Sequence, residues 1–135
     1  MIYTTSLEKI HPDMLTGFFV DWPNPPNTAT HFQLLKNSDH VVLAIDEQQN
    51  QVVGFITGIS DHVLSAYIPL LEVLPAYQGR GIGNEMVARI LDELKDIYMI
   101  DLMCDENLQP FYEKNNMIKS TGMILRNYQH QSGKK

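Results

Sequence analysis

Leu70-Leu71-Glu72-Val73-Leu74-Pro75-Ala76-Tyr77-Gln78-Gly79-Arg80-Gly81-Ile82-Gly83 carries an apolar, extended run straight into a glycine-rich loop. Beyond it Met86, Val87, Ile90, Leu91 and Leu94 recur with Ile82 at helical spacing, so the loop opens into an amphipathic helix reaching about Lys95. The start of a helix presents main-chain N–H groups without partners and the positive end of its dipole, which together make an anion site. Gly79, Gly81 and Gly83 let the backbone approach phosphate oxygens with no Cβ in the way. Arg80 either adds a charge-assisted contact or lies in solvent. A Walker A loop needs Gly-Lys-Ser/Thr, and Asn84 follows Gly83 here. A dinucleotide fingerprint needs G-x-G-x-x-G, whereas these glycines alternate strictly, so a nucleotide-binding domain is disfavoured. A plain strand–helix turn needs small residues, but not three alternating glycines with Gln78 and Arg80.

Working outward, the spacing predicts a short strand over Ile2–Thr5 and a helix from Pro12 to Val20, with Met14, Leu15, Phe18 and Phe19 on one face. Asp21–Asn27, with prolines at 23, 25 and 26, must be a loop. A second helix follows over about Thr28–Lys36. Val41–Ile45 and Val52–Ile59 flank a polar turn and read as a hairpin, and Asp61-His62 turns the chain into a third long strand, Val63–Leu74. Pro69 cannot donate a ladder bond, so a bulge or a parting from a neighbouring strand is expected there. After the amphipathic helix come a buried strand (Tyr98–Cys104), a short helix (Leu108–Asn115) and closing strands at Met117–Ser120 and Met123–Tyr128. Four helices around a mixed sheet make this an α/β (mixed α+β) chain with one domain over residues 1–128, followed by a disordered polar tail over 129–135.

With 135 residues, 44% of them hydrophobic, the chain can bury one sizeable core. A net charge of −6 argues against nucleic acid and suits a cationic partner. There is no apolar stretch long enough to span a membrane and no leader-like N-terminus, so a cytoplasmic protein is expected. Its single cysteine, Cys104, ends a strand without a recognisable histidine partner and reads as a structural thiol. His11, His31, His40, His62 and His130 lack metal-ligand spacing, and no metal is expected.

Gln78-Gly79-Arg80-Gly81-Ile82-Gly83 matches Gln/Arg-x-x-Gly-x-Gly/Ala, the signature of the GNAT superfamily of acyl-CoA-dependent N-acyltransferases, which this chain resembles over about residues 40–128. Leu71-Glu72-Val73-Leu74-Pro75 is similar to the family's fourth strand, and Asn107-Leu108-Gln109-Pro110-Phe111-Tyr112-Glu113-Lys114 to its Asn…Phe-Tyr-x-Lys helix. Asn116-Met117 stands where relatives usually have Gly-Phe; asparagine keeps the left-handed helix end available. The resemblance implies a mostly antiparallel twisted sheet whose fourth and fifth strands splay apart. The pantetheine arm of acetyl-CoA would enter that gap, with backbone near Val73 pairing to it and Leu71, Leu74, Ile82, Asn107 and Phe111 lining the donor site. It also implies direct attack of a primary amine on the thioester, with Tyr112 as general acid. A phenol suits this role because it is neutral at pH 7 and can donate to a departing thiolate.

For the base, Tyr67 stands where relatives often carry Glu or His, although a phenol is a poor base unless perturbed. Glu72 is chemically better, but strand alternation places it on the face opposite Tyr67. Asp101 and Asp105 stand behind them. Asn107 either binds cofactor amides or caps the Leu108 segment, and Trp22 beside Asp21 either lines an amine pocket or plugs the core. A catalytically silent acyl-CoA-binding or sensing module remains the rival to the enzyme, as a monomer or a homodimer.

Overall fold

Two strongly apolar strands, β2 (His40–Asp46) and β3 (Gln51–Ser60), form the centre of a six-stranded, mostly antiparallel sheet in the computed structural model, which describes residues 1–135. β1 (Ile2–Thr4) pairs with β2, while β4 (Ser65–Ile68) and β5 (Leu71–Val73) both pair with β3. β6 (Met99–Leu102) lies parallel to β4 and ends the sheet. Val42 to Ala44 and Val52, Val53, Phe55 and Ile56 are wholly buried, because both faces of the central strands are covered.

On one face lies α2 (Ile82–Glu93), whose Ile82, Met86, Val87 and Ile90 are at most 4% exposed. Each such side chain stabilises the fold by about 1.5–3 kcal/mol. The helix comes close because β3 carries glycine beneath it: a Cβ on Gly54 would stand 2.9 Å from Met86 Cε. Phe18, Phe19 and α1 (Thr28–Asn37) cover the other face, with the rings of Phe18 and His31 at 5.1 Å and 4.4 Å from Phe55. Asn27 caps α1 through a 2.8 Å bond from Thr30 N–H.

The expected first helix is only a 3₁₀ turn, Pro12–Leu15. Gly17 (φ 92°), Phe19 (φ 62°) and Asp21 (φ 67°) alternate in the left-handed region, which no right-handed helix can accommodate. The irregular path turns both Phe18 and Phe19 inward, where a helix could bury only part of such a pair.

His31 sits among Phe18, Phe19 and Phe55 with neither ring nitrogen hydrogen-bonded. Burial lowers its pKa from 6.5 to about 4. The folded protein therefore holds His31 neutral while the unfolded chain protonates it. Stability is full above pH 6.5 and declines as pH falls toward 4, by about 3 kcal/mol for a shift of this size. Urea unfolding at pH 7 and 4.5 should show this decline, and His31→Leu should flatten it. An unchanged pH slope in the variant would assign the acid sensitivity elsewhere.

The third strand breaks at Pro69, as its missing N–H requires, and the break has a geometric consequence. Between the pairs Ile56↔Leu71 and Ile59↔Tyr67, β3 spends two residues (Thr57, Gly58) against three (Ile68, Pro69, Leu70). The extra residue is a bulge, which reverses the parity of side chains beyond it. Glu72 therefore shares a face with Tyr67, opposite Phe55 and Ile59 respectively, and the expectation of opposite faces is corrected.

Two further expectations change at the sheet's far side. β6 is not buried: Tyr98 is 82% and Met99 41% exposed. Met117–Ser120 and Met123–Tyr128 form no strands, since no ladder partner lies against them; the chain runs there as irregular, exposed backbone to a 3₁₀ turn at Tyr128–His130. The polar tail folds back on the proline-rich loop, where Asn24 N–H donates to Gln131 Oε1 at 2.9 Å.

Candidate active site

α2 begins without a side-chain cap. Gly81 (φ 82°) is its N-cap, Glu85 N–H to Gly81 C=O at 3.0 Å is its first bond, and the N–H groups of Gly79 through Asn84 donate to no backbone carbonyl. Gly79 (φ 78°) and Gly81 adopt the left-handed conformation that favours glycine, and a Cβ on either would meet nothing within 4 Å. The loop thus offers a row of main-chain donors beneath open space at the positive end of a twelve-residue helix. Gly83 has a different role: its Cα packs between Phe111 and Val73, 3.6–3.7 Å from where a Cβ would stand. Arg80 is folded back, donating to Ala76 C=O at 3.1 Å and stacked 4.9 Å over the Tyr77 ring, whose hydroxyl donates to Asp46 at 2.6 Å.

The strand leading into this loop is open on one side. Leu74 N–H donates to Val53 C=O, and Leu70 C=O accepts from Thr57 N–H. By the alternation of an antiparallel ladder, the main-chain groups of Leu71 and Val73 then face away from β3. No strand meets them there, because the parallel pairing of β4 with β6 ends at Ile68↔Leu102. The fourth strand of the expected layout is thus split into β4 and β5, and β5 parts from β6, the fifth. Gln78 Nε2 donates to Val73 C=O at 3.0 Å, fastening the loop to the strand and leaving the Val73 N–H free. β5 leads within a few residues into the loop, and the Gln78 bond holds the two together beside the α2 N-terminus.

Tyr112, in α3 (Gln109–Glu113), is 9% exposed and packs edge-on against Phe111, with ring centroids 5.0 Å apart. Burial, then the neighbouring Cys104, pushes its pKa up to about 12, so the phenol keeps its proton at any physiological pH. Tyr112 lines a groove of about 1180 Å³ together with Tyr67, Asp101 and Cys104. Tyr67 and Asp101 are register partners across β4 and β6, side by side on one face. Burial also raises the Cys104 thiol, which argues against a thiolate nucleophile.

Glu72 does not line that groove. Its Oε1 accepts from Phe19 N–H at 2.8 Å and its Oε2 from Val20 N–H at 3.3 Å. The carboxylate thus pins the left-handed turn at Phe19, a role invisible locally because the partners are 53 and 52 residues away. Glu72→Ala should lower unfolding stability by about 1–3 kcal/mol, the usual cost of stranding such donors. Denaturant unfolding checks this; a variant of full stability with no turnover would make Glu72 a reacting group instead.

Asn107 is exposed within the 3₁₀ turn Glu106–Leu108, and α3 has no side-chain cap. Trp22 packs on Phe19, 4.9 Å between ring centres, at the rim of the core. Sequence reasoning missed the Asn84–Asn115 contact, in which Asn115 Nδ2 donates to Asn84 Oδ1 at 3.2 Å and to Phe111 C=O at 3.3 Å, tying α3 to the start of α2. Asn116 (φ 67°) takes the left-handed helix end expected of it. No group of three His, Cys, Asp or Glu side chains is arranged to hold a metal ion.

An uncapped helix behind left-handed glycines, fed by a strand parted from its neighbour, has the form of an anion site, and residues 7–117 match the acetyltransferase (GNAT) family. The chain belongs to that family. A crystal structure from Deinococcus radiodurans R1, assigned as an acetyltransferase, is 42% identical, covers 99% of this chain and 93% of its own, and superposes with a TM-score of 0.95. GCN5-related N-acetyltransferase 3, chloroplastic, of Arabidopsis thaliana is 45% identical over 65 residues, 47% of this chain and 27% of that protein. Histone acetyltransferase TAP1 of Glycine max is 30% identical over 105 residues, 69% of this chain and 45% of that protein. The matches thus span between a quarter and a half of these curated relatives.

Proposed function

We propose that this chain is an N-acetyltransferase that moves an acetyl group from acetyl-CoA to a primary amine by direct attack. The observation that carries this reading is the outward-facing main chain of β5, which leads into the row of unpaired N–H groups at Gly79–Asn84. The pyrophosphate lies on those N–H groups, and the pantetheine arm extends β5 by pairing to the outward main chain of Leu71 and Val73. The thioester then points toward the groove that Tyr112, Tyr67 and Asp101 help to line. The neutral amine attacks the carbonyl carbon, the C–N bond forms and the C–S bond breaks; negative charge gathers on sulfur, the nitrogen gives up one proton to water, and the thiolate leaves as CoA. Tyr112 donates a hydrogen bond to the sulfur. Both oxygens of Glu72 are engaged by the loop, so its part is positional, and Tyr67 and Asp101 are among the polar groups that line the acceptor groove.

The net charge of −6 and the Asp101 carboxylate favour a cationic acceptor that loses a proton before attack. Thiol release from acetyl-CoA against a panel of small amines, amino sugars and peptide N-termini tests the proposal. Turnover should rise with pH and require an amine. Binding of acetyl-CoA without turnover on any amine would favour a sensing module instead.

A further inference from the structure

α3 has five residues, Pro110 in its first turn and no side-chain cap at its start, so it is too short to hold a position by itself. Contact with the opening of α2 places it. The Phe111 ring lies against Gly83, its Cζ 3.6 Å from where a Cβ would stand. The second contact is made by one side-chain amide, that of Asn115.

In a longer helix the Phe111 carbonyl would accept from the Asn115 N–H. That N–H instead closes on Tyr112 C=O at 2.9 Å, and Asn116 turns into the left-handed region at φ 67°. The stranded Phe111 carbonyl takes Asn115 Nδ2 at 3.3 Å. The same nitrogen donates to Asn84 Oδ1 at 3.2 Å, 31 residues back along the chain. These partners fix both amides. A carbonyl at Phe111 demands the NH2 side of Asn115, and that NH2 demands the oxygen of Asn84. Asn84 is also the third residue of α2, and its N–H is the last of the unpaired donors of the glycine loop. Its main chain therefore belongs to the donor row and its side chain to the clamp on α3.

We propose that Asn84 and Asn115 are positioning residues for Tyr112, their bond tying the placement of the phenol to the loop that holds the donor's pyrophosphate. The inference rests on the acetyl transfer proposed above. Pyrophosphate on the loop fixes Asn84; Asn115 then holds the carbonyls of Phe111 and Tyr112, and the hydroxyl meets sulfur in one position. Both amides act through Tyr112 and not on the reacting atoms. A misplacement of about 1 Å can cost about a hundredfold in rate, and the loss here is bounded by that of removing the hydroxyl altogether.

Single-turnover rates at saturating acetyl-CoA should fall about tenfold in Asn84→Ala and in Asn115→Ala, and no further in the double variant. In a Tyr112→Phe background the same substitutions should change the rate by less than about twofold, since the group they position is gone. Asn84→Asp keeps an acceptor oxygen and should hold the wild-type rate at saturation, with a raised KM for acetyl-CoA from the added charge. A second readout needs no turnover. The N–H groups of Asn115 and Met117 both end on Tyr112 C=O. Their hydrogen exchange should slow at least about tenfold when CoA binds the wild type, and no more than about twofold in Asn84→Ala. Wild-type rates in both alanine variants, losses that persist in the Tyr112→Phe background, or equal protection in Asn84→Ala would overturn the proposal. A wild type that binds no CoA, or a Tyr112→Phe enzyme of wild-type rate, would overturn the acetyl-transfer reading first and this inference with it.

Discussion

Gly81→Asp should weaken acetyl-CoA binding by two to three orders of magnitude and leave the fold in place. The two halves of that expectation come from different observations. A Cβ at position 81 meets nothing within 4 Å, and Asp is among the residues that tolerate φ near 82°, so the folded chain bears only a strain of about 1–2 kcal/mol. The empty space above Gly81 is where the proposed pyrophosphate lies. A carboxylate brought within about 4 Å of a phosphate charge costs up to about 4 kcal/mol at a half-screened protein surface, nearly three decades of affinity. Gly81→Ala serves as the control: it shares the strain but not the charge, and should lose no more than about tenfold. Calorimetry with acetyl-CoA separates the two. Equal losses in both variants would mean that backbone shape rather than phosphate contact governs the loop, and tighter binding of ATP than acetyl-CoA would remove the CoA reading altogether.

The glycine loop, the helix behind it and the strand break before it were legible in the sequence because their determinants are local. Alternating glycines leave a turn without Cβ atoms, and apolar residues at helical spacing require a helix behind it; Pro69 cannot donate, so a strand parts there. Each statement depends on a few adjacent residues, and each holds in the fold. What escaped the reading is non-local. Pro69 announced a break but not its register, and one residue of slip moved Glu72 onto the face of Tyr67. Glu72 looked like a base because carboxylates often are, yet its partners arrive from the Phe19 turn, which itself replaced an expected helix. Met117–Tyr128 has strand-like residues and no strand, because a strand exists only when a neighbour completes its ladder.

Tyr112→Phe should lower kcat by about a hundredfold with acetyl-CoA affinity nearly unchanged. The ring and its edge-on packing with Phe111 survive the substitution, so the core loses no volume and the protein should unfold at an unchanged denaturant midpoint. The size of the effect follows from the phenol's pKa. General acid catalysis contributes about 10² to 10⁴-fold, most when the donor and the leaving group are matched. Tyr112, held at about 12, stands well above an ordinary thiol near 8.5, so complete proton transfer to the departing thiolate is uphill. The hydroxyl therefore acts chiefly by donating a hydrogen bond to charge developing on sulfur, at the weak end of that range. The same pKa requires that no titration of Tyr112 appear in the rate profile below about pH 11. The rise of rate with pH should then belong to the amine, and shift with the pKa of the acceptor in wild type and Tyr112→Phe alike. Single-turnover kinetics isolate the chemical step from product release. Wild-type kcat under those conditions would remove Tyr112 from the reaction, and a loss of folding or of CoA binding would make it a packing residue of the Phe111-Tyr112 pair.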